Sequence, residues 1–472
     1  MRPSRAAAPA QTPPPQPSAP VVLQTPRFEP PPQKATFQTP LLMDRDSGVR
    51  RLGFYLTLIY LFLRLTGLHE ILAEKTGMNI YLMYVIGTPA LICMVVGNGL
   101  RRALHARAAW YFVGFAAMLL LAVPFSDWIG GSTAVVLTYF KANMFVIFLT
   151  GGMILSWREF RTMLSVIMAA GVVTVIIGFA MHDTVAGRTE ISDGMTMGNA
   201  NDFAALLTLL VPFVLIALTA PGRGNVVRVL LTGVVIGAVY LILSTGSRGA
   251  LVAMIGAVIY GIANAPGHRR VQAVVVVLLA GLLSVGIASV ALPRVVSKRL
   301  MTIFTPSAAA TDLEEESALE STEARKYLAV QSLLFTLQHP LFGVGPGQFS
   351  NHEGSSARAE GLHGNWHETH NTYTQVSSED GVPALIFFVA SLVAAYRLVK
   401  SVYRRAQRMP ATLENQQIAS AAYWILIALV AYSASIFFLS LAYQFYTPAL
   451  VGIAIALHRI AHSRWNSPAP QA

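Results

Sequence analysis

The sequence predicts an all-α, polytopic integral membrane protein, on three observations. Charged residues fill only 12% of the 472 positions and apolar ones 54%, whereas a soluble globule carries about 25% charge. Apolar runs long enough to cross about 30 Å of hydrocarbon recur along the chain. No ten-residue alternation of apolar and polar positions accompanies them, so the spans read as helices, which satisfy their own backbone groups, and not as barrel strands. The one cysteine, Cys93, lies inside such a run and excludes a disulfide framework or a cysteine zinc cluster.

In order, residues 1–45 form the first element. Twelve of the 26 prolines fall before residue 41, among Gln, Ala, Ser and Thr. Such a stretch buries too little surface to offset its ordering entropy and reads as a disordered tail. It lacks the apolar core of a signal peptide and is expected to be cytoplasmic. About twelve spans follow, near 52–70, 79–97, 108–125, 133–154, 160–181, 201–220, 227–244, 249–264, 271–293, 381–399, 417–440 and 446–461. A cytoplasmic start puts 14 arginines and lysines in the short inside loops, from Arg101 to Arg408, and only Lys75, Arg188 and Arg248 in the short outside loops. That asymmetry orients the chain with both termini cytoplasmic, including a tail at 462–472. The net charge of +11 is then mostly a topology signal against an anionic leaflet, and no nucleic-acid partner is expected.

The membrane part divides into about nine helices over 46–293 and about three over 381–461. Between them, residues 294–380 form one large periplasmic loop, carrying 11 of the 23 acidic residues and five of the eleven histidines. A loop this long is expected to carry function. Two short helices are expected in it. One runs from about Ser321 to Gln338 with Leu328, Leu334, Phe335 and Leu337 as its stripe, and one from about Glu368 to Glu379. The glycine-rich Gly343-Val344-Gly345-Pro346-Gly347 between them reads as a tight turn.

The densest polar stretch is Leu362 to Tyr373, which holds His363, His367 and His370. Three readings stay open for it. Zinc is disfavoured, because His367-Glu368-Thr369-His370 has spacing three where the zinc-protease pattern needs two histidines at i and i+4. His352, His363 and His367 read as surface histidines. His370 suits a base, since imidazole titrates near neutral pH and can accept a hydroxyl proton. Tyr373, at i+3, would share its helical face. Glu379, nine residues on, falls out of phase and reads as structural, at the junction with the next span. Arg248, after Ser244-Thr245-Gly246-Ser247, is either a snorkelling anchor or a fork that grips phosphate at a helix start. Arg325, near a helix N-terminus, opposes the macrodipole and implies a partner elsewhere. Arg64 and Lys141 lie within spans, where a charge costs at least about 2.5–3.5 kcal/mol and usually faces the bundle interior. Lys141 near mid-span could meet an anionic ligand, and Arg64 could snorkel outward.

Taken in order, several motifs resemble the O-antigen ligase and polymerase family of bacterial envelope glycosyltransferases. They are Gly198-Asn199-Ala200-Asn201-Asp202, Ser247-Arg248-Gly249-Ala250, Glu323-Ala324-Arg325, Pro340-Leu341-Phe342-Gly343-Val344-Gly345-Pro346-Gly347 and His370-Asn371-Thr372-Tyr373, with Glu379-Asp380-Gly381 before the next span. The resemblance covers about residues 195–400 in pattern. It implies a metal- and cofactor-independent, inverting transfer on the periplasmic face of the bacterial inner membrane. The donor would be a glycan on undecaprenyl diphosphate, and the acceptor a sugar hydroxyl of the lipid A core or of a growing polysaccharide. The family's catalytic histidine falls on His370, and its donor-diphosphate arginines fall on Arg248 and Arg325, with Lys141 as a further cation. Tyr373, Asn371, Glu379 and Asn201 are taken as supporting residues. A ligase and a polymerase remain alternatives. A polysaccharide transporter or flippase is the rival from another class, although no internal repeat is seen.

Overall fold

The computed structural model describes residues 47–466, apart from 80, 186, 192–196, 362–363, 365 and most of 268–312. The expected tail at 1–45, residues 467–472 of the tail expected at 462–472, most of the span at 271–293, and His363 lie outside the described residues, whereas 462–466 continue the last helix.

Helix α1 (Gly48–Thr66) is capped by the Ser47 hydroxyl and ends at Gly67, whose φ of 64° lets the chain turn into α2 (Leu68–Thr76), bent 67° away. Helices α3 (Leu82–Val96), α4 (Gly99–Leu104) and α5 (Arg107–Ala122) follow. The next span is α6 (Ile129–Tyr139), a π-helical segment (Phe140–Met144) and α7 (Val146–Gly152). After α8 (Trp157–Ala180) comes a short antiparallel hairpin, β1 (Asp183–Val185) with β2 (Arg188–Glu190), which pairs Thr184 with Thr189. The chain is therefore not strictly all-α; the hairpin forms around Gly187, at φ 74°. Helices α9 (Ala200–Leu218), α10 (Asn225–Ser244) and α11 (Arg248–Asn264) lead toward the large loop. The loop holds α12 (Leu313–Gln338), α13 (Phe349–Ala359) and α14 (Thr372–Asp380). Helices α15 (Val382–Ala406), α16 (Leu413–Ser435) and α17 (Tyr446–Asn466) close the chain.

Among the described residues, seven helices are long and apolar enough to cross a membrane, or eight counting α1 and α2 as one bent span. The expected spans at 79–97 and 249–264 correspond to the shorter apolar helices α3 and α11. That at 446–461 corresponds to α17, which His458, Arg459 and His462 make more polar.

Small residues let the helices approach closely, as membrane helices must where no hydrophobic force drives them together. A Cβ on Gly452 of α17 would sit 2.6 Å from the Ile147 carbonyl of α7. The α7 carboxyl end is held by two arginines, Arg102 buried and Arg459 partly buried. Arg102 Nε donates to the Gly152 carbonyl at 2.7 Å, and Arg459 to those of Gly151 and Ile154 at 2.6 Å each. Arg50 pairs with Glu159 at 2.7 Å.

Arg64 does not snorkel. Its guanidinium donates to Asn143 Oδ1 at 2.5 Å and lies 4.7 Å from the Phe445 ring centroid, inside the bundle.

Candidate functional site

The site is built on the loop helices and on the segment between α16 and α17. Leu328 and Phe335 of α12 pack with Val344 and Phe349 into a small core, and Thr336 of α12 meets Ser377 of α14 at 2.8 Å. The glycine-rich turn lies across the end of α14. Val344 N donates to the Ser378 carbonyl at 2.8 Å and Gly345 N to that of Glu379 at 2.9 Å. Gly343, at φ 64°, allows this approach, since a Cβ there would lie 2.2 Å from the Glu379 backbone.

Helix α14 begins at Thr372, not at Glu368. Asn371 caps it, its Oδ1 accepting from the Tyr373 amide at 2.9 Å and the Thr374 amide at 3.3 Å. His370 therefore stands outside the helix with φ 52°, in the left-handed region. Tyr373 does not share a helical face with it; the Tyr373 hydroxyl donates to the Ser433 carbonyl at 2.9 Å.

Strain of this kind persists only where neighbours over-determine the backbone, and here they do. His370 N donates to Ser440 Oγ at 2.9 Å, Thr372 Oγ1 to the Leu439 carbonyl at 2.6 Å, and Leu441 N back to Thr372 Oγ1 at 2.9 Å. Ala442 N donates to Gln375 Oε1 at 3.2 Å. The segment 439–442, about seventy residues away in sequence, thus holds the His370 backbone.

Arg325 lies three turns inside α12, because that helix starts at Leu313 and not near Ser321; the macrodipole no longer opposes it. Its charge acts on His370. Burial foremost, then Arg325 and His367, lowers the His370 pKa to about 4, so the imidazole is neutral at pH 7. Arg248, the first residue of α11, donates from Nη2 to Thr322 Oγ1 at 2.9 Å. Thr322 precedes Arg325 by three residues, about one turn. One turn of α12 therefore lies between Arg248 and the cation that acts on His370. Gly249 next to Arg248 is required by packing, since a Cβ would fall 2.6 Å from Cβ of Phe438, two residues before Ser440.

Behind the site, Glu379 and Asp380 are buried side by side. Glu379 accepts from the amides of Gly347 and Phe349 at 3.1 and 3.2 Å and from Tyr443 Oη at 2.7 Å; Tyr443 Oη also reaches Asp380 at 3.0 Å. Burial raises both carboxyls, Glu379 to about 7 and Asp380 well above its usual range. One hydroxyl proton cannot serve both carboxylates, so the pair retains a proton at neutral pH. Asn143 donates to the Tyr443 carbonyl at 2.8 Å, which joins this pair to Arg64.

Asn201 accepts from Arg188 Nη2 at 3.0 Å, while Arg188 Nε donates to the Thr245 carbonyl at 2.8 Å. Arg188 thus ties the start of α9 to the turn before Arg248. Lys141 is exposed on the π-helical segment, apart from this hydrogen-bonded frame. His352, read as a surface histidine, is partly exposed but engaged: it pairs with Asp127 and packs edge-on against Phe335, ring centroids 4.4 Å apart. His367 is exposed.

Sequence reading missed Ser440, Tyr443, Arg188 and the helix α13. It quoted Asp202 within a motif without a role; the charge of Asp202 is close enough to that of Glu368 for the two to interact. Among the described residues, no three His, Cys, Asp or Glu side chains are grouped to hold a metal ion.

No curated protein matches the chain. Residues 232–389, from within α10 to the first two turns of α15, match the family described as O-antigen ligase. That stretch, about a third of the chain, contains Arg248, Arg325 and His370 and is similar to the O-antigen ligase family.

Proposed function

We propose that the protein is an inner-membrane glycosyltransferase of the O-antigen ligase type, with about twelve crossings, cytoplasmic termini and the 294–380 loop on the periplasmic face. The donor is a glycan on undecaprenyl diphosphate and the acceptor a sugar hydroxyl of the lipid A core or of a growing polysaccharide. The observation that carries this reading is the α12 turn at 322–325. It bonds Arg248 on one side and places its own arginine's charge on a neutral, strained histidine on the other.

In this reading His370 accepts the proton of the acceptor hydroxyl as its oxygen attacks the anomeric carbon from the side opposite the diphosphate. The bond from that carbon to the diphosphate oxygen breaks, with inversion, and undecaprenyl diphosphate leaves. The donor already carries its activation, so the protein supplies positioning, a base, and cations for the charge that grows on the leaving group. Arg248 and Arg325 supply those cations without a metal, and Lys141 is a further cation along the donor's path. Asn371 and Ser440 hold the base in place. Glu379 and Asp380 anchor the glycine-rich turn, and Asn201 with Arg188 sets the approach to Arg248. No cofactor takes part. A histidine with pKa about 4 is a weak base when the site is empty. The bound diphosphate, an anion beside Arg325, raises its basicity as substrate arrives.

Deleting the gene separates the two branches of the reading. A ligase predicts lipopolysaccharide without polymer while lipid-linked chains accumulate; a polymerase predicts products that carry a single repeat. An unchanged envelope glycan profile contradicts both.

A further inference from the structure

At the bundle end opposite His370, a cavity of about 690 Å³ opens between the end of α4, the start of α5, the middle of α15 and the second half of α17. Its position follows from α5, which runs from Arg107 at the cavity to Val123–Phe125, where Phe125 stacks on Phe342 beside the loop at a centroid distance of 4.2 Å. Among the described residues no carboxylate lines the cavity, while His105, Arg107, Arg397 and His458 do. Arg102 and Arg459 form its floor, already bonded to the carbonyls at the end of α7.

A second observation points to an anion. Helix α5 starts at this cavity with Ala106 as its N-cap and no side-chain cap bond, and its first residue is Arg107. Of its first three amides, that of Ala109 donates to the Ala106 carbonyl at 3.0 Å, and no side chain caps those of Arg107 and Ala108. A cation occupies the end of a sixteen-residue helix where the dipole favours a negative charge. A phosphate there would accept from those amides and from Arg107 and Arg397 together. Beyond the cations the wall is apolar, with Val393, Ala394 and Leu398 on one face of α15.

We propose that this cavity is a binding site for an anionic phospholipid, with the phosphate at the α5 start between Arg107 and Arg397 and an acyl chain along α15. Basic pockets between membrane helices take such headgroups, and a free phosphate would leave the apolar wall uncovered. The site is separate from the transfer chemistry and stands whether or not that reading holds.

The test is native mass spectrometry of the full chain released from nanodiscs of equal phosphatidylglycerol and phosphatidylcholine. The wild-type protein is expected to retain phosphatidylglycerol in clear preference. In the double variant Arg107→Gln/Arg397→Gln, whose two residues are exposed, retention should fall roughly tenfold or more. The variant Arg101→Gln/Arg404→Gln, exposed at the same end outside the cavity, should retain lipid as the wild type does. Retention in the nanodisc ratio, or equal loss in both double variants, overturns the site. Stripping of the lipid by millimolar inorganic phosphate overturns the lipid as occupant.

Discussion

His370→Ala is expected to lower kcat by about 10²–10⁴-fold while the purified variant keeps its fold and still binds the lipid-linked donor, which is the loss typical of removing a general base. Alanine tolerates the left-handed backbone of position 370 poorly, so His370→Asn is the sharper companion. Asparagine accepts φ near 52° and can hydrogen-bond, but it takes no proton at pH 7. Both variants should be inactive by the same measure, initial rate of glycan transfer from the lipid-linked donor. If asparagine restores turnover, the histidine is a positioning group and the base lies elsewhere.

Arg248→Lys is expected to reduce kcat/KM by about 10–100-fold, the value of one or two charge-assisted hydrogen bonds to phosphate, even though the charge is kept. A snorkelling anchor predicts almost no change. The bond from Arg248 to Thr322 raises a third reading, a simple staple between α11 and α12. Thr322→Val separates it. That variant removes the Thr322 hydroxyl and keeps the Arg248 guanidinium, so kcat/KM should stay within a few-fold of wild type. A loss equal to that of Arg248→Lys would make the arginine structural.

Much of the framework was legible in the sequence because a bilayer punishes charge and unpaired backbone so heavily. Long apolar runs mark the helices, and the few remaining ions can be weighed singly. Arg248 and Arg325 each carried more than one reading on residues alone, and their joint assignment with His370 came from the resemblance to the O-antigen ligase family. What local sequence did not carry was the way distant segments close on them. Ser440 and Tyr443 belong to a short loop between two spans, and only the folded chain brings them against His370 and the Glu379-Asp380 pair. The start of α14 was misplaced by four residues, although Asn371 is a strong N-cap and could have set it. The continuous helical pattern of 368–379 outweighed that signal. Helix α13 is polar and short, Phe349 being its one large apolar side chain, so periodicity gave it no weight. His352 sits on α13, and its pairing with Asp127 across more than 200 residues was likewise hidden. The hairpin at 183–190 has three residues per strand, too few for an alternation to register.

The central claim is that the base and the phosphate-binding cations form one site, and the titration of His370 tests it most directly. Histidine-labelled protein, followed by NMR in the absence of donor, should show an imidazole signal protonating near pH 4 that disappears in His370→Asn. Because burial and then Arg325 depress that value, Arg325→Gln should move the midpoint upward, toward but not reaching the ordinary 6.5, and adding the anionic donor to wild-type protein should move it in the same direction. A His370 that titrates near 6.5 in the wild type and is unmoved by Arg325→Gln would contradict a shared site.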